Sequence, residues 1–279
     1  MKDLHPSGVD LSDIEIRLLL EGIFLFNGFD FRDYDPEFVR ARVARCMNRE
    51  GVSTVSELQN LVLHDPACME RFVQSFAMGP GKLFHQPGFF SVFRNRAIAL
   101  LRALPSVRMW VAGCENGAET YSVAILLKEN GLFEKTTLYS TLMSESALRA
   151  AEKGLIPACA LNGRANEYRM AGGKKTLTGY FAVRKDYAWL AGSLRTAITW
   201  SQFDMVSGAS FNQFHCIFSR KVIGRLRPEP RQKVHKLLYE SLALGGILGL
   251  GELRDMNDNP YACCYEPVDG RLSWYRKTS

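Results

Sequence analysis

The sequence predicts a two-domain protein in which a small all-α domain precedes a doubly wound α/β domain. Apolar residues recur at helical spacing from residue 10 to about residue 104. From Ser106 onward, short apolar runs alternate with helical segments, which is typical of a parallel sheet covered by helices. The 279 residues, of which 47% are apolar, suffice for two hydrophobic cores. We therefore expect a helical domain over residues 1–87 and an α/β domain over residues 88–279.

Helix start and stop signals organise the first domain. A periodic apolar run predicts the inner face of the first helix at four positions: Ile14, Leu18, Leu19 and Ile23. Gly28 is expected to end this helix, because glycine tolerates the left-handed conformation that a helix terminus often needs. Pro36 opens a second helix. Three arginines at helical spacing share one face of that second helix: Arg42, Arg45 and Arg49.

Strand-like runs organise the second domain. Residues 108–113 predict its first strand, residues 119–130 the helix that follows, and residues 214–219 a later buried strand. Between residues 157 and 200 the alternation breaks at paired glycines and short aromatic stretches, so a small inserted β subdomain is expected there. Asp269-Gly270 lies between the last two apolar runs and predicts a closing antiparallel hairpin.

Composition narrows the classes of function. No apolar run reaches the roughly 18 residues that a membrane helix needs, so no membrane span is expected. Seven cysteines without metal-ligand spacing indicate reduced thiols and no metal site. The first residues lack the apolar core of a signal peptide, and together these features favour a cytoplasmic protein. The net charge of +6 favours acidic partners, but no nucleic-acid-binding motif accompanies it.

The turn after the first predicted strand carries the most informative motif, Val-Ala-Gly-Cys-Glu-Asn-Gly-Ala-Glu from Val111 to Glu119. Ligands of open parallel sheets bind at the carboxyl ends of the strands, where this turn lies. Gly113 and Gly117 would let a ligand approach the backbone, and Glu119 can accept hydrogen bonds from an ammonium group. The same spacing also suits a tight strand-to-helix connection that binds nothing.

This turn resembles the cofactor-binding motif of the chemotaxis receptor methyltransferases, the CheR family. The positions that match its Gly-Glu-Glu-Pro-Tyr-Ser motif are Gly117, Glu119, Tyr121 and Ser122. Further segments similar to the family are Leu11-Ser12-Asp13, Tyr180-Phe181 and the strand Phe214–Val222. The resemblance covers about residues 11–278. It implies a Rossmann-like class I methyltransferase fold with a mostly parallel seven-stranded sheet, an N-terminal all-α domain, and S-adenosylmethionine (SAM) or S-adenosylhomocysteine as the cofactor.

The resemblance also implies roles for particular residues. The cofactor would be bound by residues of the turn and of the strand ends: Ala112, Gly113, Gly117, Glu119, Thr141, Asp204 and Lys221. His85 and Arg220 would take catalytic positions near the transferred methyl group. Thr141 stands where family members have an aspartate that binds both ribose hydroxyls, and Lys221 stands where they have an asparagine. One hydroxyl in place of a carboxylate should weaken cofactor binding by roughly 1.5–3 kcal/mol.

Two functions from different classes are compatible with these observations. The first is methyl transfer from SAM to glutamate side chains of chemotaxis-type receptors, with Arg42, Arg45 and Arg49 docking an acidic receptor helix. For those arginines, a solvated helix face is the simpler alternative. The second function is that of a binding module without methyl transfer, which acts as a regulatory or nucleotide-sensing protein. Its phosphate-binding residues at the pocket mouth would be Lys221, Arg225 and Arg254.

Overall fold

The chain forms two compact units. The computed structural model describes residues 10–76, 82–161, 163–251, 254–270 and 273–279. One unit is Met1–Gly79 with Arg225–Arg227, and the other is Pro80–Gly224 with Pro228–Ser279. The boundary thus lies after residue 79 and not at the expected residue 87. The reason is that Leu83 and Phe84 are fully buried in the hydrophobic core of the second unit.

Four helices build the first unit within residues 10–76: α1 Leu11–Asn27, α2 Pro36–Glu50, α3 Val55–His64 and α4 Pro66–Phe76. Gly28 caps α1 in the left-handed region, as expected, and Pro36 is the first residue of α2. Thr54 and Glu57 form a reciprocal capping box at the start of α3. Between the helices, the rings of Phe31 and Phe76 stack with their centroids 4.1 Å apart.

The inner face of α1 differs from the expected one. Ile14 and Leu18 are exposed, and the buried side chains are Ile16, Leu19, Leu20 and Ile23. The prediction was wrong at Ile14 and Leu18 because α1 carries apolar residues on more than one side. Packing against α3 then decides which stripe is buried.

Seven strands of the second unit form one sheet in the order β6-β2-β1-β7-β8-β10-β9. In chain order the strands of the described residues are β1 Val107–Val111, β2 Thr136–Leu142, β3 Leu155–Pro157, β4 Phe181–Arg184, β5 Tyr187–Leu190, β6 Ile198–Gln202, β7 Phe214–Ser219, β8 Leu242–Leu250, β9 Tyr265–Pro267 and β10 Trp274–Lys277. All pairs from β6 to β8 are parallel, and β10 pairs antiparallel with β8 and β9. The expected mostly parallel seven-stranded sheet is therefore confirmed.

Helices cover this sheet: α5 Pro87–Val92, α6 Ile98–Leu101, α7 Ala118–Glu129, α8 Glu145–Glu152, α9 Ala165–Met170, α10 Gly192–Arg195, α11 Pro228–Ser241 and α12 Arg254–Asn257. A π-helical turn at Phe93–Ala97 joins α5 to α6, so the two form one continuous helical segment. Trp274 of β10 donates its indole N–H to the carbonyl of Phe89 at 3.1 Å and stacks on the Phe89 ring. This contact holds the start of α5 against the sheet.

The inserted β element is a three-stranded sheet in the order β3-β5-β4. It ends before the expected residue 200, because Ile198–Gln202 pairs in parallel with β2 and belongs to the main sheet. The carboxylate of Glu129, the last residue of α7, accepts hydrogen bonds from the hydroxyls of Tyr168 and Tyr180. It also accepts from the backbone N–H of Lys174 at 3.2 Å. A single carboxylate thus ties the insertion to the main domain.

No helix among the described residues combines the length and the apolar character that a membrane crossing requires.

His235 is a buried ionisable group within α11. Its side chain is almost inaccessible, and neither ring nitrogen has a hydrogen-bond partner among the described residues. Burial lowers the pKa of His235 to about 4, and the nearby charge of Arg231 contributes to the lowering. The unfolded chain therefore binds this proton more readily than the folded chain, and folding is penalised once the histidine of the unfolded chain is protonated.

We expect this penalty to appear as a loss of stability in mild acid. The penalty on the free energy of unfolding is small above pH 6.5, grows as the pH drops, and levels off near pH 4. Between pH 7 and pH 5 the free energy of unfolding should fall by about 2 kcal/mol through this group. Urea unfolding of His235→Leu should lack that decrement, whereas His64→Gln, at an exposed helix end, should keep it. Equal pH profiles for wild type and His235→Leu would contradict the assignment.

Candidate cofactor site

The site lies where β1 has β2 on one side and β7 on the other, at the carboxyl ends of these strands. Neighbouring crossovers leave in opposite directions at this point, which is where open α/β sheets bind ligands. The turn after β1, residues 112–117, lies here together with the residues that follow β7, 220–222. Ala112 donates its N–H to the carbonyl of Phe218 at 2.7 Å, which joins the two segments.

Both glycines of the turn are required by packing within the protein. Gly113 and Gly117 have φ values of 68° and 84°, a region that favours glycine. A Cβ on Gly113 would lie 2.2 Å from Cγ2 of Val222, and one on Gly117 would lie 2.8 Å from the Tyr121 ring. The space next to each glycine is therefore occupied by a side chain of this chain.

Arg220 forms the central buried contact of the site. Its guanidinium donates to the carboxylate of Glu119 at 2.8 Å, and both side chains are more than nine-tenths buried. It also donates to the His85 carbonyl at 3.1 Å and to the Gln86 side-chain oxygen, and it lies over the Phe89 ring. Arg220 thus connects the end of β7 with the first turn of α7 and with the turn before α5.

That turn contains strained backbone on both sides of His85. Phe84 and Gln86 have φ values of 52° and 58°, in the left-handed region that non-glycine residues rarely adopt. The backbone N–H of Phe84 donates to the hydroxyl of Ser122 at 3.0 Å, and Arg220 holds the other end. Conformations of this kind cost about 1–3 kcal/mol each and are concentrated at functional sites. The sequence alone gave no signal for this feature.

A second ion pair joins Lys221 to Glu115. Lys221 was expected at the site from the sequence, but Glu115 was not. Nζ of Lys221 lies 2.5 Å from the Glu115 carboxylate. Between the two pairs is a small cavity of about 10 Å³, lined by Lys82, His85, Phe90, Cys114, Glu115, Asn116, Glu119, Arg220 and Lys221. Such a volume holds roughly one water molecule. The cavity is therefore narrow and strongly polar; its two ion pairs are balanced in charge, and the exposed Lys82 adds one further positive charge to the lining.

His85 lines this cavity with a largely uncharged ring. Partial burial lowers the pKa of His85, and the charges of Arg220, Lys221 and Lys82 lower it further. The imidazole is consequently neutral at pH 7, in a form that can accept a proton or donate one hydrogen bond.

Thr141 and Asp204, expected near the ribose and the adenine, already have partners within the chain. The Thr141 hydroxyl accepts from the indole N–H of Trp110 at 3.0 Å and from the Gly113 N–H at 3.4 Å. The Asp204 carboxylate caps its own turn by accepting from the N–H of Val206 and the hydroxyl of Ser207. Trp110, which the sequence analysis did not single out, thus orients the Thr141 hydroxyl.

The basic residues expected at the pocket mouth differ in their surroundings. Lys221 is paired with Glu115. Arg225 is grouped with the helical unit by backbone bonds between residues 33–35 and 225–227, and its guanidinium lies 5.5 Å from the Phe38 ring centroid. Its expected role at the pocket mouth stays a prediction. The side chain of Arg254 lies outside the described residues.

The three arginines of α2 differ in exposure. Arg45 and Arg49 are exposed, whereas Arg42 is half-buried with its guanidinium 4.7 Å from the Phe38 ring centroid. The basic face of α2 is therefore presented to solvent mainly by Arg45 and Arg49.

A mostly parallel seven-stranded sheet with a glycine turn at its switch point, accompanied by an all-α unit, defines a class I methyltransferase with a helical domain. Residues 81–266 match the family described as CheR methyltransferase, SAM binding domain, and residues 14–77 match CheR methyltransferase, all-alpha domain. The chain belongs to the CheR methyltransferase family, as the resemblance implied. Because the matched domain is described as SAM binding, the expected cofactor, SAM or S-adenosylhomocysteine, is confirmed for the family.

Two sequence relatives agree with this assignment. A Pseudomonas putida protein that carries the name methyltransferase Cher3 is 32% identical over 96% of this chain and 98% of its own length. Chemotaxis protein methyltransferase Cher2 of the same species is 24% identical over 80% of this chain and 83% of its own length. Among solved structures, the N-methyltransferase NodS of Bradyrhizobium japonicum with S-adenosylhomocysteine aligns over 80% of this chain and 98% of its own, with 11% identity and a TM-score of 0.42.

The residues around the cavity fit one part of SAM by their charges. The amino acid end of SAM carries one ammonium and one carboxylate, and the cavity offers two carboxylates, Glu115 and Glu119, and three cationic groups, Lys82, Arg220 and Lys221. Its free volume is much smaller than an amino acid. The protein groups would therefore have to exchange an ion-pair partner for the ligand.

The buried pair provides a test of the site's architecture. Arg220→Met leaves Glu119 buried without its cation, so we expect a loss of about 3–5 kcal/mol in the free energy of unfolding. Adding Glu119→Gln removes the uncompensated carboxylate, so the double variant should be more stable than Arg220→Met alone. Urea unfolding measures both. A double variant that loses the sum of the two single losses would contradict an energetic coupling between these side chains.

Proposed function

We propose that this chain transfers the methyl group of SAM to glutamate side chains on an acidic helix of a chemoreceptor-type protein. The observation that carries the proposal is the polar cavity at the switch point of the sheet, bounded by the two ion pairs Glu119–Arg220 and Glu115–Lys221. Membership of the CheR family and relatives named chemotaxis methyltransferases support the same activity.

Charge favours a zwitterionic ligand over a nucleoside phosphate. A phosphate group brings a net negative charge of about 1.5–2 at neutral pH. Of the three cations that line the cavity, Arg220 and Lys221 each already have a buried carboxylate partner, and the third, Lys82, is exposed to solvent. Binding a polyanion there would leave those carboxylates buried beside it, which is costly. A ligand that brings both an ammonium and a carboxylate can replace each partner by a group of the same sign, which supports SAM over the nucleotide-sensing alternative.

The pairing of charges suggests how individual residues would bind SAM. Glu119 accepts from the ligand ammonium, Lys221 pairs with its carboxylate, and Thr141 meets the ribose with one hydroxyl that Trp110 already orients. Gly113, Gly117, Ala112 and Asp204 act through the backbone of the turns that they shape. When bound, SAM supplies a sulfonium methyl group that is electrophilic.

The glutamate that accepts the methyl group does not have to be deprotonated by the protein. A glutamate side chain is already ionised at neutral pH, so alignment with the methyl carbon is the main requirement. Lys82 and neutral His85 line the cavity on the side of the turn before α5. Lys82 attracts the acceptor carboxylate, His85 donates a hydrogen bond to it, and Arg220 fixes the turn that presents both.

Calorimetric titration with S-adenosylhomocysteine tests the cofactor assignment. We expect micromolar binding by the wild-type protein, and Glu119→Gln should weaken it by roughly tenfold or more through loss of a charge-assisted hydrogen bond. Glu152→Gln, an exposed residue of α8, is the matched control and should bind like wild type. Transfer of labelled methyl from SAM to acidic receptor helices then tests the reaction. If the protein does not bind S-adenosylhomocysteine but binds an anionic nucleotide, the result would support the nucleotide-sensing alternative instead.

The basic face of α2 gives a separate prediction about the partner. Arg45→Glu with Arg49→Glu should weaken binding of an acidic receptor helix by roughly fivefold or more at low salt, because two attractions become repulsions. Arg17→Glu with Arg96→Glu makes the same change of charge at exposed positions of other helical segments and should bind like wild type. Surface plasmon resonance at two salt concentrations measures both. If both double variants lose the same affinity for the acidic helix, the effect comes from net charge alone, and the docking role of Arg45 and Arg49 is contradicted.

A further inference from the structure

Two adjacent cysteines lie in the methyltransferase unit with no role in the proposed reaction. Cys263 and Cys264 are part of a short 3₁₀ turn, Ala262–Cys264, that leads into β9. Their sulfur atoms lie 3.9 Å apart, close enough for a weak hydrogen bond between the thiols. Cys263 is exposed and Cys264 is half-buried. Both sulfurs therefore lie at the surface, side by side.

Accessibility separates this pair from the other cysteines. Of the seven cysteines, four are buried, namely Cys46, Cys68, Cys114 and Cys216. Cys159 is exposed, but it has no neighbouring sulfur partner and can offer one thiol only. The Cys263–Cys264 pair is thus the place where two accessible sulfurs meet.

The surroundings of Cys264 lower the pKa of its thiol and hold the turn in place. The lowering comes from polar groups of Ser279, Cys263 and Tyr239 close to the sulfur and from the nearby charge of Lys277. The carbonyl of Cys264 accepts from the N–H and the hydroxyl of Thr278, at 2.8 and 3.1 Å. Cationic and donor groups of this kind increase the reactivity of a cysteine. The turn is thereby pre-organised before any ligand arrives.

The donor set points to a ligand that takes two sulfurs. A structural zinc site needs four ligands, and the described residues contain no cluster of three or more His, Cys, Asp or Glu side chains that could hold a metal ion. Soft thiolates select soft, thiophilic ligands. We propose that Cys263 and Cys264 form a two-sulfur binding site for a trivalent arsenical.

The proposed capture is a condensation that needs no oxidant. An arsenic(III) oxide R–As=O reacts with the two thiols: two S–As bonds form, two S–H bonds and the As=O bond break, and the oxygen leaves with both protons as water. Arsenic remains trivalent throughout. The second S–As bond forms within one molecule, and such linkage raises affinity by about 10²–10⁴ over a single contact. Adjacent cysteines should therefore retain the arsenical in the presence of competing monothiols.

Phenylarsine oxide is the probe for this site. Intact-mass spectrometry of the reduced full-length protein should show one phenylarsenic adduct, formed with loss of one water, that survives excess glutathione and is removed by 2,3-dimercaptopropanol. Cys263→Ser and Cys264→Ser should each weaken capture by roughly 100-fold or more. Cys159→Ser is the matched control, since it removes an exposed thiol that has no adjacent sulfur, and it should behave like wild type.

Several outcomes would overturn the proposal. They are the absence of a glutathione-resistant adduct on wild type, an adduct that persists in Cys263→Ser, or an adduct that is lost in Cys159→Ser. Cys263 is exposed, so its replacement by serine should leave the fold intact, and circular dichroism of each variant checks this. Binding of S-adenosylhomocysteine by the same variants reports independently on the cofactor site.

Discussion

The buried contact between Arg220 and Glu119 is the constraint on which the arrangement of the site depends. It joins residues far apart in the chain, at the end of β7 and in the first turn of α7, and the guanidinium also binds the turn at His85 and Gln86. Two residues of that turn adopt left-handed backbone conformations that are unfavourable by themselves. Hydrogen bonds to Arg220 and Ser122 offset that strain. The ion pair therefore shapes the cavity wall as well as its charge.

Charge pairing within the cavity follows from this constraint and limits which ligands can bind. Arg220 and Lys221 each already lie against a carboxylate, and the free volume is about that of one water. An isolated anion or cation would leave a buried protein charge without its partner, which is costly. A zwitterion avoids that cost because it can replace partners pairwise. Under the proposed function, selectivity for the amino acid end of SAM arises from this pairing, in addition to the shape of the turn.

The fold could be predicted from the sequence because its signals are local. Gly28 and Pro36 mark helix ends through their own backbone preferences, and the change from helical to strand-like periodicity near Ser106 separates the two units. Where two local patterns were equally compatible, prediction failed. Ile14 and Leu18 are apolar but exposed, since packing of α1 on α3 buries the other stripe. The unit boundary moved to residue 79 for a similar reason, because burial of Leu83 and Phe84 is a tertiary effect.

The place of the glycine turn in the fold was predicted, but its contacts were not. Gly113 and Gly117 lie at the switch point as expected, yet the side chains that fill the space beside them, Val222 and Tyr121, follow from packing between distant segments. Lys221 and Arg225 look alike in the sequence as basic residues after β7. One is paired with Glu115, and the other lies over an aromatic ring of the helical unit. A basic residue near a ligand-binding turn attracts an anion only if no carboxylate of the fold has already neutralised it. This information is contained in tertiary pairs such as Glu115–Lys221, whose members are too far apart in the chain for local pattern to connect them.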